Sequence, residues 1–379
     1  GTFCAEDLIL FFIFFELVLL PMFFMIGIWG GPRREYASIK FFLFTLFGSA
    51  LMLLSFLALF FLSDPQTFDI PRLAAQGGAG IVASTQNLIF VGMFLGFAIK
   101  VPMFPFHTWL PDAHTEAPTV GSVLLAAVLL KLGSYGFIRI ALPILPQAAH
   151  DWAPWIGLLA VIGIIYGALC CLAQRDMKRL IAFSSVAHMG FIMLGIATLT
   201  NFGINAAIFG MVAHGLITGM LFFIAGSVQE RYDTREISRL GGLLVQAPRL
   251  GWILGFCAMA SLGLPGLAGF WGEFPAMLSA YNPAAGISQI TFRVYLVVAA
   301  IGTVLAAGYL LWMFQRVAFG RVKTEFEHAH VHDVHWPELI AWTPLLVGIV
   351  VLGIYPNLIF RITDGAVTNL AHGMARAIG

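Results

Sequence analysis

The sequence predicts an all-α membrane protein: a polytopic helical bundle of about ten transmembrane helices, arranged as inverted repeats with two discontinuous helices. Three observations carry that prediction. Of the 379 residues, 60% are hydrophobic and only 10% charged, whereas a soluble domain carries about a quarter charged residues. The apolar stretches run on for roughly 20 residues, the length that crosses a bilayer core. Two of those stretches are broken by clustered glycine and proline, and interrupted spans in corresponding places of two halves are the sequence sign of a transporter built from inverted repeats.

Taken in order, the apolar windows lie at 8–29, 39–62, 81–104, 119–142, 155–173, 179–200, 203–228, 251–280, 290–316 and 338–360. They group into a first, incomplete repeat over 1–142, a second, inverted repeat over 155–320, and a C-terminal transmembrane helix with its tail over 338–379. The last stretch, 361–379, is short and mildly amphipathic, as suits a helix on the membrane surface. The chain begins at Gly1, and Glu16 inside the first apolar run does not suit a cleavable signal. It therefore reads as a fragment or a truncated chain.

Basic residues orient the bundle, because Lys and Arg are retained on the cytoplasmic side. The loops after spans one, five, seven and nine hold Arg33, Arg34 and Lys40; Arg175, Lys178 and Arg179; Arg231, Arg235, Arg239 and Arg249; and Arg316, Arg321 and Lys323, which is 13 of the 20 basic residues. The opposite side holds Arg72, Arg139, Arg293, Arg361 and Arg376. The 13 are expected in the cytoplasm or its equivalent. A net charge of +1 leaves no basic surface for nucleic acid. The four cysteines, Cys4, Cys170, Cys171 and Cys257, have no CxxC or Cys/His spacing, so no iron–sulfur or zinc site is expected here, and any redox cofactor belongs to another polypeptide.

The third span runs on through VPMFPFHTWLP, and the eighth reads SLGLPGLAGFWGEF, with Gly263, Pro265, Gly266, Gly269 and Gly272 in its middle. The two are an odd number of spans apart, so the second unit sits upside down relative to the first. The same offset pairs Lys100 with Glu273 and Glu16 with His188. Lys131 and His214 have no ionisable counterpart, so the symmetry is approximate.

The candidate functional residues are the ionisable groups inside these spans: Glu16, Lys100, Lys131, His188, His214 and Glu273. A lysine at the centre of a transmembrane helix costs about 2.5–3.5 kcal/mol on insertion scales, and such residues face the bundle interior and mark ion or proton paths. A bland alternative exists for each: a lysine at a helix end can snorkel to the interface, and a lone histidine can be a satisfied core residue. Burial disfavours the charged form of lysine and glutamate, and a nearby opposite charge restores it. Glu16 moving toward or away from Lys100 would therefore switch whether the lysine holds its proton. His107 and His114, beside the loop after span three, are candidates for a proton mouth. The run HAHVHDVH, from His328 to His335, resembles a metal tract but has acidic neighbours and reads as a solvated loop.

KVPMFPFHTWLPDAHTEAPT, LLKLGSYGFIR, RDMKRLIAFSSVAHMGF and LPGLAGFWGEF resemble the antiporter-like, proton-pumping membrane subunits of respiratory complex I, the NADH:quinone oxidoreductase, with the chain M type nearest. The resemblance spans essentially the whole chain. It implies proton translocation through Glu16, Lys100, Lys131, His188, His214 and Glu273, with no cofactor in this chain, since flavin, iron–sulfur clusters and the quinone pocket reside in partner subunits. The implied partners are flanking antiporter-like subunits and a lateral helix from one of them. The implied location is the bacterial inner membrane, or alternatively the mitochondrial one. Family members have about fourteen helices, so four N-terminal helices are expected to be missing. Subunits of cation/proton antiporter complexes and of proton-linked membrane hydrogenases share the fold and stand as alternatives. Most relatives have lysine where this chain has Glu273.

Overall fold

The computed structural model describes residues 1–327 and 331–378. Helix α1 covers Leu8–Trp29, α2 Arg34–Leu62, α3 Ala83–Lys100, α4 Trp109–Glu116, α5 Thr119–Ile144, α6 Pro146–Leu172 and α7 Met177–Ala197. Then follow α8 Asn201–Tyr232, α9 Pro248–Ser261, α10 Ala268–Ser279, α11 Gln289–Ala318, α12 Trp336–Ile354 and α13 Asn357–Ile378. Among the described residues there is no β-strand, only two isolated bridges. Eight of these helices are long and apolar enough to cross a membrane. The two broken pairs, α3 with α4 and α9 with α10, bring the number of spans to that read from the sequence.

Local chemistry explains the boundaries. Asp7 caps α1 by accepting from the N–H groups of Ile9 and Leu10 at 2.9 and 3.0 Å. Pro21 lacks the N–H that would bond to the carbonyl of Leu17, and the helical ladder of α1 is interrupted at Val18, just past Glu16. Helix α6 begins at Pro146, earlier than the apolar window that starts at 155, because His150 and Asp151 lower the hydropathy without breaking the helix. The tail is longer than predicted and is docked. Thr363 donates to Asn205 Oδ1 at 2.7 Å, and Asn205 donates to Asp364 at 3.1 Å, so α13 is pinned across the start of α8.

Both breaks are built as the proline and glycine spacing requires. After Lys100, the indole N–H of the buried Trp109 donates to the carbonyl of Ile99 at 2.9 Å, satisfying one of the acceptors that the end of α3 leaves open. Between α9 and α10 the chain turns through Gly263 and Gly266 at φ of 80° and 93°, a region that side chains avoid. The pairing of Lys100 with Glu273 by span number does not extend to their positions. Lys100 is the last residue of α3, before its break, whereas Glu273 lies in α10, after the second break. The residue at the place of Lys100 is Ser261, which ends α9.

Helix α7 is enclosed on all sides by other helices. Its apolar window is entirely buried, while α1 and α12 are mostly exposed on the rim. Ion pairs tie one end of the bundle together: Lys40 to Asp112 at 2.7 Å, Arg179 to Asp112 at 3.9 Å, and Arg235 to Asp176 at 3.0 Å. Those pairs gather α4 with α2 and the start of α7, and tie the loop after α6 to the loop after α8.

Candidate functional site

Four of the six sequence candidates meet in one buried run. Lys131, on α5, lies between two π-helical turns, Leu125–Leu129 and Phe137–Ala141. Such turns widen the helix by one residue and often mark functional positions. The ammonium donates to the carbonyl of Ala126, inside the first of these turns, and lies 2.6 Å from Nδ1 of His214 on α8. His214 packs edge-on against His188 of α7, with ring centroids 5.9 Å apart. His188 Nδ1 in turn lies 2.5 Å from Glu273 Oε1 on α10. The run therefore crosses four helices by direct contact.

Gly272 makes the last contact possible. A Cβ on it would lie 2.5 Å from the Cα of Gly210, so only glycine at 272 lets α10 approach α8 this closely and present Glu273 to His188. Beside this contact is a cavity of about 20 Å³ lined by His188, His214, Thr218, Ser261 and Glu273, room for roughly one water. His214 Nε2 and Glu273 Oε2 are both buried without a protein partner and belong to residues of that lining. A water there would have the polar partners that an interior water needs.

Glu16 and Lys100 form a separate group. Lys100 is 2% exposed, and its ammonium has no hydrogen-bond partner. It rests instead over the ring of Phe15, 4.6 Å from the centroid, a cation–π contact. The sequence suggests a close Glu16–Lys100 pair. The structure has none within 4.0 Å among the described residues; the two interact through space. Glu16 is half-buried, with Oε1 enclosed and unpartnered. No hydrogen bond links Lys100 to Lys131 among the described residues, although α3 and α5 touch where a Cβ on Gly133 would lie 2.7 Å from the carbonyl of Phe97.

Several polar residues fall elsewhere than the sequence suggests. His107 and His114 are buried rather than at a mouth, the first edge-on to Tyr166 and the second stacked on Phe222. Lys178, counted from the sequence among the loop residues after span five, lies in α7, is 2% exposed and donates to the carbonyl of Ala117. His328 and His330 of the histidine run lie outside the described residues, while His335 caps α12. Among the described residues no three His, Cys, Asp or Glu side chains cluster as metal ligands do. Sequence reading missed Ser261 and Tyr309, whose hydroxyls lie 3.1 and 3.4 Å from His188 Nε2. The available signal for Ser261 was its place immediately before the glycine-rich break.

Residues 5–313 match the family described as NADH:quinone oxidoreductase/Mrp antiporter, TM. The chain is 43% identical to NADH-quinone oxidoreductase subunit M of Rhodobacter capsulatus, a match that takes in all of this chain and 74% of that protein. It is 40% identical to NADH-ubiquinone oxidoreductase chain 4 of Marchantia polymorpha, over 98% of this chain and 68% of that one. Among solved structures, a chain of respiratory complex I from Thermus thermophilus with bound NADH superposes with a TM-score of 0.89 at 33% identity, covering 100% of this chain and 77% of that chain. The Mrp complex from Dietzia sp. shares the fold, with a TM-score of 0.84 at 20% identity, covering 100% of this chain and 77% of that chain.

Proposed function

The chain belongs to the NADH:quinone oxidoreductase/Mrp antiporter membrane family, and we propose that its buried ionisable residues carry protons across the membrane as part of an NADH:quinone oxidoreductase, respiratory complex I. The observation that carries this reading is the run of buried residues Lys131–His214–His188–Glu273, in contact across four helices. Each member can hold or release a proton, and the contacts are short enough for direct transfer except between the two imidazoles. There the neighbouring cavity has room for a bridging water.

In this reading Lys100 is the central proton carrier of the first unit, and Glu16 tunes it through space. Lys131, His214 and His188 pass the proton on, and Glu273 ends the path on the non-cytoplasmic side. The step between Lys100 and Lys131, where no contact is closed, goes through water or side-chain movement and is where transfer can be gated. The electron-transfer chemistry and its flavin, iron–sulfur clusters and quinone belong to partner subunits. The flanking antiporter-like subunits and a lateral helix are the neighbours this chain would meet, in a bacterial inner membrane or its mitochondrial counterpart. Replacing Lys100 by methionine tests the reading, since it keeps the length and apolar bulk of the side chain and removes the proton. In vesicles bearing the assembled oxidoreductase, NADH-driven proton uptake should fall sharply at unchanged subunit content. Normal pumping by Lys100→Met would refute it.

A further inference from the structure

His188 is held at both ring nitrogens. Nδ1 meets Glu273 at 2.5 Å, and on the other side Nε2 meets the hydroxyl of Ser261 at 3.1 Å and that of Tyr309 at 3.4 Å. Ser261 is 3% exposed and Tyr309 fully buried. They come from two different elements, the end of α9 and the middle of α11. Ser261 also stands where Lys100 stands in the first broken helix, as the last helical residue before the interruption.

The chemistry of the two sides differs. A carboxylate can only accept a hydrogen bond, so while Glu273 is ionised Nδ1 must carry the proton between them. A hydroxyl both donates and accepts, and it rotates to suit. Ser261 and Tyr309 can therefore satisfy Nε2 whether it is bare or protonated, and the ring need not turn when its charge changes. Without them, a protonated Nε2 would lose both protein groups it can donate to, which disfavours the imidazolium.

We propose that Ser261 and Tyr309 are positioning residues of the relay: their hydroxyls hold His188 by Nε2, so that it exchanges its proton with Glu273 through Nδ1. This rests on the proton-path reading above. The other titratable groups around His188 are Glu273 on α10, His214 on α8 with Lys131 of α5 behind it, and Tyr309 on α11, near which lies Cys171 of α6.

The test uses vesicles bearing the assembled oxidoreductase with Ser261→Ala, Ser261→Thr, Tyr309→Phe, the Ser261→Ala/Tyr309→Phe double variant, and Glu273→Gln as reference. Proton uptake is measured against pH and normalised to assembled complex. The double variant is expected to pump about tenfold more slowly, since losing hydrogen bonds of this kind shifts an equilibrium by about that factor. Its dependence on pH should differ from that of the wild type, because the hydroxyls that meet Nε2 are gone. Ser261→Thr should restore most of what Ser261→Ala loses. A double variant with wild-type rate and pH profile, beside an impaired Glu273→Gln, would overturn this inference alone. Slow pumping with an unmoved pH profile and no recovery in Ser261→Thr would also overturn it, by marking a merely structural role. Should the double variant fail to assemble, equal rates and profiles for Ser261→Ala and Ser261→Thr would be decisive against it. Glu273→Gln pumping as the wild type does would instead bring down the proton-path reading itself.

Discussion

Glu273→Gln separates the shape of the terminal residue from its charge. The amide fills the same space beside Gly272 and still offers His188 Nδ1 a hydrogen bond where the carboxylate lies at 2.5 Å. What it loses is the charge-assisted character of that bond, about 1.5–3 kcal/mol against about 0.5–1.5 for a neutral pair. The difference, about 1–2 kcal/mol, weakens the hold of the terminal residue on His188 by roughly 5- to 30-fold. An amide also cannot release a proton at any working pH, so the row ends one residue early. Pumping should fall by at least about fivefold, while assembly is retained because the buried volume and one hydrogen bond are kept. Glu273→Lys should do better than Gln. A lysine against an imidazole nitrogen is chemistry that this site already contains, in Lys131 and His214 at 2.6 Å. Proton uptake by reconstituted vesicles with equal amounts of assembled complex decides the matter. Gln equal to wild type, or Lys worse than Gln, would remove Glu273 from the end of the path.

Two further outcomes follow from the first broken helix. Glu16→Ala should weaken coupling more than assembly: because no close ion pair with Lys100 exists to be broken, the loss of about 3–5 kcal/mol seen when a buried pair is split does not apply. A complex that fails to assemble on native gels would make Glu16 structural instead. Trp109→Phe removes the indole donor to the carbonyl of Ile99 and should lower stability by about 1–3 kcal/mol. A thermal unfolding midpoint of the solubilised complex equal to that of the wild type would show that the tie across the break contributes nothing.

The spans were legible because hydropathy over about 20 residues reports a bilayer crossing whatever the tertiary contacts, and the two breaks because proline and glycine act locally. Side-chain contacts are not local, and here the sequence misled in instructive ways. Lys100 and Glu273 occupy paired spans, but a span number carries no register: Lys100 ends the helix before its break, and before the second break the residue that ends the helix is Ser261. A serine in an apolar span does not stand out by charge, and Tyr309 lies in a run that reads as lipid-facing helix. Neither residue can be picked out until α9 and α11 are brought against α7, which depends on packing between helices far apart in sequence. The π-turns around Lys131 were hidden for a related reason. LAAVL and FIRIA carry no glycine or proline to announce them, and the lysine's bond to Ala126, inside the first turn, is visible only in the folded helix. Ionisable character marked Lys131, His214, His188 and Glu273, which the fold brings together, and Lys100, which it buries apart from them. The neutral groups that hold them in working orientation became visible only once the helices were packed.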